Sequence, residues 1–174
     1  LDAGRPTGVV VEGALDAVRA ATAPDRAGTR RLLRAAQSYA NERGVVGVHD
    51  MVRRSHAPRV YRDMAADGEL TLRVRLNYWS DHFDALAETG LATGHRSGLV
   101  ETGAIKTFSD GSIGSRTARL SSPYADAAGE CGRWVVDPES VRRLAADAGD
   151  AGYQVAVHAI GDEAIRRAVD ALAA

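Results

Sequence analysis

The strongest constraint on this chain is a repeated switch between two periodicities, short apolar or alternating runs and longer stretches with apolar residues at helical spacing. Thr29 can cap a helix over residues 30–43, with Leu32, Leu33, Ala36 and Ala40 on its apolar face and Gly44 at its end. Residues 45–49 (VVGVH) form a short apolar run, as expected of a strand buried on both faces. Pro58 opens a second helix with Val60 and Met64 facing inward, and Gly68 closes it. Leu70, Leu72, Val74 and Leu76 alternate with Thr71, Arg73, Arg75 and Asn77, the period-two pattern of a strand. A helix from Asp81 to near Gly90, a Gly-rich connection (TGHRSG) and a strand over residues 99–108 follow. After a polar loop over residues 109–136, Asp137 and Pro138 supply a cap and a first-turn proline for the next helix, which Gly152 ends. Residues 153–158 (YQVAVH) form a fourth strand, and Asp162 caps a last helix with Ile165 and Val169 on one face.

Four strand-then-helix units after a helical lead-in imply an α/β fold, a parallel sheet covered by helices. Two architectures fit, a doubly wound open sheet and part of a (β/α)8 TIM-type barrel. Both carry function at the carboxyl ends of strands. The 109–136 loop far exceeds the ~2–6 residues usual for a strand-to-helix connection, and loops of that kind are often functional.

A length of 174 residues suits one domain. The 22 basic and 23 acidic residues are balanced, which argues against the basic stripe of a nucleic-acid-binding surface. A single cysteine, Cys131, excludes an internal disulfide and a metal site built on cysteine pairs. No run of about 18 apolar residues could span a membrane, and the start LDAGRPTG lacks a signal pattern. The expectation is a cytoplasmic protein without a membrane partner. The first residue is not methionine, as in an excerpt of a longer protein.

Lys106 is the only lysine among the 22 basic residues. Arginine stays protonated, whereas a buried lysine can lose its proton and become a nucleophile. Lys106 lies inside an apolar strand, where burial lowers its pKa. Three uses follow: a carbamate that binds metal, a Schiff base, or a structural ion pair. The segment after it could cradle an anion, but it lacks the G-x-x-x-x-G-K-[ST] pattern of a nucleotide loop.

Two histidines stand at strand ends. His158 ends the fourth strand and would project toward the same mouth as Lys106. His49 stands with Asp50 where the first strand meets its loop, and their side chains must point opposite ways. A buried, hydrogen-bonded histidine is the simpler reading of each. His56, His82 and His95 read as solvent-facing.

The segments GRPTGVVVEGA, GVVGVHDM, IKTFSDGSIGSRTA and VHAIGDEAI occur in order and cover most of the chain. Together they resemble the amidohydrolase superfamily, specifically the amidohydrolase-3 (YtcJ-like) group. The resemblance implies a distorted (β/α)8 barrel that binds one or two divalent metals, usually zinc. It implies that Lys106 is carboxylated by carbon dioxide and ligates metal as a carbamate, and that His158 is a metal ligand. Metal-activated water would then cleave an amide or other non-peptide C–N bond of a small molecule. His49, Asp110, Ser112, Arg116 and Asp162 become candidates for substrate binding or for support of the ligands, with Arg116 suited to a substrate carboxylate.

The chain departs from the family pattern. No H-x-H pair occurs, and the later histidine and aspartate are absent. By this mapping residues 1–174 form the central part of the barrel, about strands two to five. Alone the chain is then expected to be inactive and to bind metal weakly, because two ligands fall short of zinc's four. Its open sheet edges would pair with the rest of the barrel or with another copy. Competing readings are a non-catalytic regulatory or binding module, and a Schiff-base lyase using Lys106.

Overall fold

The computed structural model describes residues 8–10 and 13–173. Part of the lead-in segment GRPTGVVVEGA therefore lies outside the described residues. The elements run α1 (Ala14–Ala21), α2 (Arg26–Asn41), β1 (Gly47–Val52), α3 (Ala57–Ala66), β2 (Arg73–Trp79), a short 3-10 turn (Ser80–His82), α4 (Phe83–Ala87), β3 (Arg96–Ser97), β4 (Val100–Phe108), α5 (Pro138–Asp150), β5 (Val155–His158) and α6 (Asp162–Ala173). Strands β1, β2, β4 and β5 are parallel neighbours in that order. This is the α/β alternation expected, an arc of parallel strands with helices on its outer side.

The core lies between that sheet and its helices. Val60, Tyr61 and Met64 of α3 pack with Val74, Leu76 and Tyr78 of β2 and with Ile105 of β4. Strand alternation sends Arg73, Arg75, Asn77 and Trp79 to the opposite, inner face. Glu101 shares that face and pairs with Arg75 and Arg96, which hold its carboxyl below the ordinary range.

One irregularity decides where the lysine points. Leu76 pairs with Thr102, but Tyr78 pairs with Ile105, so β4 carries one extra residue at a bulge. Beyond the bulge Ile105 faces the core beside Tyr78, and Lys106 faces inward beside Trp79. Asn77 holds the bulge, its Oδ1 accepting the Ala104 N–H at 2.9 Å. A Cβ on Gly103 would lie 2.5 Å from that oxygen and 2.9 Å from the Leu76 carbonyl oxygen, so only glycine fits there.

Several expectations need correction. Asp25, not Thr29, caps α2, its carboxylate accepting the Gly28 N–H at 2.6 Å. Thr29 is buried inside the helix, with its hydroxyl 2.9 Å from Nε2 of His56. His56 is therefore a partly buried partner rather than a solvent-facing residue, whereas His82 and His95 are exposed. Strand β1 is not buried on both faces, because Val48, Asp50 and Val52 turn toward the helices while Gly47, His49 and Met51 on the other face are exposed. The helix expected from Asp81 is a 3-10 turn followed by only five helical residues. Within TGHRSG, Arg96 and Ser97 form β3, antiparallel to the start of β4. On α6 the buried face is Ala164, Ala168 and Ala171, whereas Ile165 and Val169 are exposed with Leu172. The small alanines let α6 lie close to its neighbours, and the larger residues face outward.

Candidate active site

Phe108 is the hub of the inner face at the carboxyl ends of the strands. Its ring stacks on Trp79 at 5.1 Å between centroids and lies 4.7 Å from the His158 ring. Nζ of Lys106 sits 4.3 Å from the centre of the same ring. The register explains the grouping, since Lys106 pairs with Trp79 and Phe108 pairs with His158. Lys106 and His158 thus share one face on adjacent strands.

Lys106 is 9% exposed, and its amine donates to the Thr107 carbonyl oxygen at 2.9 Å. Burial, and secondarily the charge of Arg53, lowers its pKa to about 8. A neutral amine is therefore accessible near neutral pH. His158 places Nε2 2.9 Å from the Gly111 carbonyl oxygen. That oxygen can only accept, so in the neutral ring Nε2 carries the hydrogen and Nδ1 keeps its lone pair.

Asp110 is fully buried in the wall of the mouth, with Oδ1 3.8 Å from Nε2 of His158, and it also organises the loop. Its oxygens accept the backbone N–H groups of Arg119 (2.7 Å), Ile160 (3.0 Å) and Gly161 (2.8 Å). Three backbone donors satisfy the buried charge. At Gly161 a Cβ would fall 1.8 Å from the Arg119 carbonyl oxygen, so this close approach also demands glycine. The 109–136 loop thus folds back over the strand ends, and Val135 N–H donates to the Ser109 carbonyl oxygen at 2.8 Å.

A cavity of about 530 Å³ opens above the aromatic hub, lined by Phe108, His158, Ser112, Arg53 and residues of α1. Ser112 places its hydroxyl 2.7 Å from that of Ser115, which is itself 2.7 Å from the Thr117 hydroxyl.

The other candidates stand elsewhere. His49 is three residues short of the end of β1 and faces a separate 310 Å³ cavity with Arg75 and Glu101, at the amino-terminal half of the sheet. Asp50 points the other way, as alternation requires, and accepts the Tyr61 hydroxyl at 2.8 Å. Arg116 has a left-handed backbone (φ 54°) and pairs with Asp126 at 2.9 Å, outside the lining of the larger cavity. Asp162 is exposed and accepts the Ser121 N–H at 2.9 Å together with the Ser121 hydroxyl, joining the loop to α6.

The sequence reading missed Trp79, Phe108 and Arg53. The two aromatics occupy inner-face positions of recognised strands, so alternation could have found Trp79. The bulge hid the inner phase of Phe108, and no local pattern marks Arg53. Among the described residues no group of three or more His, Cys, Asp or Glu side chains could hold a metal ion. No described helix is long and apolar enough to cross a membrane.

Comparisons with known proteins identify the family and the fold. A model of the amidohydrolase family matches residues 2–174. The Bacillus subtilis (strain 168) protein YtcJ, assigned by name to the amidohydrolases, is 32% identical over 97% of this chain and 32% of its own length. The Arabidopsis thaliana protein LONG AFTER FAR-RED 3 is 30% identical over 94% of this chain and 30% of its own. Crystal structures of uncharacterized metal-dependent hydrolases from Pyrococcus furiosus and Pyrococcus horikoshii OT3 superpose with TM-scores of 0.84 and 0.85, each at 29% identity. They cover 94% and 96% of this chain, which in turn spans 36% and 35% of theirs. The chain spans about a third of the length of these relatives, and it belongs to the amidohydrolase family.

Proposed function

We propose that the protein containing this chain is a metal-dependent hydrolase that cleaves an amide or other non-peptide C–N bond of a small molecule. The observation that carries the reading is the grouping of Lys106 and His158 around Phe108 at adjacent strand ends, with the lysine amine weakened as a base. The metal-dependent hydrolases of similar fold support it.

The donor chemistry fits a divalent cation. Neutral Lys106 can attack carbon dioxide: a new N–C bond forms, one C–O π pair moves to oxygen, and the nitrogen loses a proton to solvent. The resulting carbamate offers anionic oxygen where an ammonium would repel metal. His158 offers Nδ1, with Nε2–H anchored on Gly111. Oxygen and imidazole nitrogen both suit zinc, and one or two ions are proposed. A bound divalent ion supplies Lewis acidity and an activated water. The chain's own residues orient the ligands and build the cavity wall, and the Asp110-anchored loop restricts the approach of solvent.

Two donors fall short of zinc's four. We assign residues 1–174 to the central part of the barrel, about strands two to five, with the remaining ligands on polypeptide outside this chain. The isolated chain is then inactive and binds metal weakly.

The test is elemental analysis of the full-length protein, with ¹³C NMR after exposure to labelled bicarbonate and assays on small amides. Bound metal, a carbamate signal lost in Lys106→Met and amide hydrolysis are expected. A full-length protein without metal or carbamate would instead point to a binding or regulatory module.

A further inference from the structure

We propose that Arg53 is the anion-recognising residue of this cavity, so that the substrate is a small amide carrying a carboxylate. The inference rests on the hydrolase reading above and narrows its substrate class.

Arg53 immediately follows β1, at the carboxyl end of the sheet where barrel sites form. Its guanidinium carbon lies 5.0 Å from the centre of the Trp79 ring, within cation–π range. Trp79 stacks on Phe108 with the planes 9° apart, and Phe108 contacts both candidate ligands. One aromatic platform therefore connects Arg53 to the proposed reaction centre. Arg53 also lines the 530 Å³ cavity directly, beside Phe108 and His158.

Charge accounting singles out this arginine. Arg19 also lines the cavity, but it pairs with Asp16 at 3.1 Å. Arg116, the sequence-based choice for a substrate carboxylate, pairs with Asp126. Arg75 and Arg96 are committed to Glu101. Among the described residues, no carboxylate lies within ion-pair distance of Arg53. It is solvent-exposed and rests against the indole, so its planar fork remains available to a carboxylate. The cavity volume falls in the range of small-molecule sites, roughly 300–1,000 Å³. Leu15 and Val135 add apolar wall for an acyl group. An N-acyl amino acid matches this combination of acid, amide and apolar tail.

The test measures binding separately from turnover. Calorimetric titrations of the full-length protein compare N-butanoylglycine with its neutral relative N-butanoylglycinamide. The acid should bind about ten-fold more tightly. Arg53→Gln should remove that difference, Arg53→Lys should keep only part of it, and Arg142→Gln, on the exposed face of α5, should preserve it. Circular dichroism checks that each variant is folded. No preference in the native protein, or a preference that survives Arg53→Gln, overturns the proposal. Loss of the Lys106 carbamate signal in Arg53→Gln with the preference intact also overturns it, and reassigns the guanidinium to the carbamate. Arg53-dependent binding without hydrolysis defeats only the hydrolase reading. Hydrolysis without acid preference defeats only this one.

Discussion

Nε2 of His158 points at the Gly111 carbonyl oxygen from 2.9 Å, and this contact leaves Nδ1 as the ring nitrogen with a free lone pair in the neutral ring. Replacing His158 with alanine in the full-length protein should lower metal affinity at least about ten-fold. Equilibrium dialysis against a competing chelator measures it. Unchanged affinity would remove His158 from the ligand set.

Lys106 is the sole lysine, so labelling of lysine in this chain reports one side chain. With its pKa lowered to about 8, carbamoylation by cyanate should have its rate midpoint near pH 8. A midpoint at the ordinary 10.5 would contradict the burial argument. The linked effect on stability has a definite sign. Between about 8 and 10.5 the unfolded chain holds a proton that the folded chain has released, so stability rises with pH across that window. Below pH 8 both states are protonated and the full cost of the buried ammonium remains. In buffer depleted of carbon dioxide, Lys106→Met should therefore stabilise the chain more at pH 7 than at pH 10.5. Urea titrations at the two pH values would show it.

Asp110→Ala strips the acceptor from three backbone N–H groups contributed by Arg119, Ile160 and Gly161. The loss should be on the order of 3 kcal/mol or more. Hydrogen exchange should accelerate at those amides before it does in β2. Unaltered protection would mean that the loop is held by other contacts.

Gly103→Ala forces a methyl group against Asn77, Arg75 and Leu76. It should cost about 1–3 kcal/mol in denaturant titrations. A neutral result would show that the bulge can shift.

In the described residues one edge of β1 and one edge of β5 have no strand partner. Ile165, Val169 and Leu172 lie exposed on α6. The isolated chain should self-associate, and glutamate at those three positions should reduce the associated fraction in sedimentation velocity runs. A clean monomer of the unaltered chain at high concentration would refute this.

Much of the architecture was legible because local signals and burial agree. Asp137 with Pro138 marked the start of α5, and the alternation from Leu70 to Asn77 marked β2. Lys106 and His158 were legible because strand ends in a parallel sheet converge. Other features depend on partners distant in sequence. That Asp110 anchors the loop was not legible, because its three donors lie 9 to 51 positions away. His49 read as a strand end because Asp50 interrupts the apolar run, although β1 continues through Met51 to Val52. Thr29 and Asp25 are both acceptable caps by residue type, and the bond from Gly28 N–H to Asp25 and the approach of His56 to Thr29 distinguish their roles. Ile165 and Val169 follow helical spacing, but spacing cannot tell which stripe a helix turns toward its neighbours.

The extra residue in β4 makes the lysine's orientation a matter of parity. With an even count between Thr102 and Lys106 in an unbroken ladder, the amine would share the core-facing side of Thr102; the bulge reverses that relation. A one-residue deletion at Gly103 or Ala104 would remove the bulge and leave Lys106 beside Trp79, still facing inward, whereas straightening the strand with every residue kept would turn Lys106 toward the helices and send Ile105 to the inner face. The bulge and the extra residue thus compensate each other, and a homologous strand without the bulge would keep its lysine on the cavity side only with one residue fewer upstream.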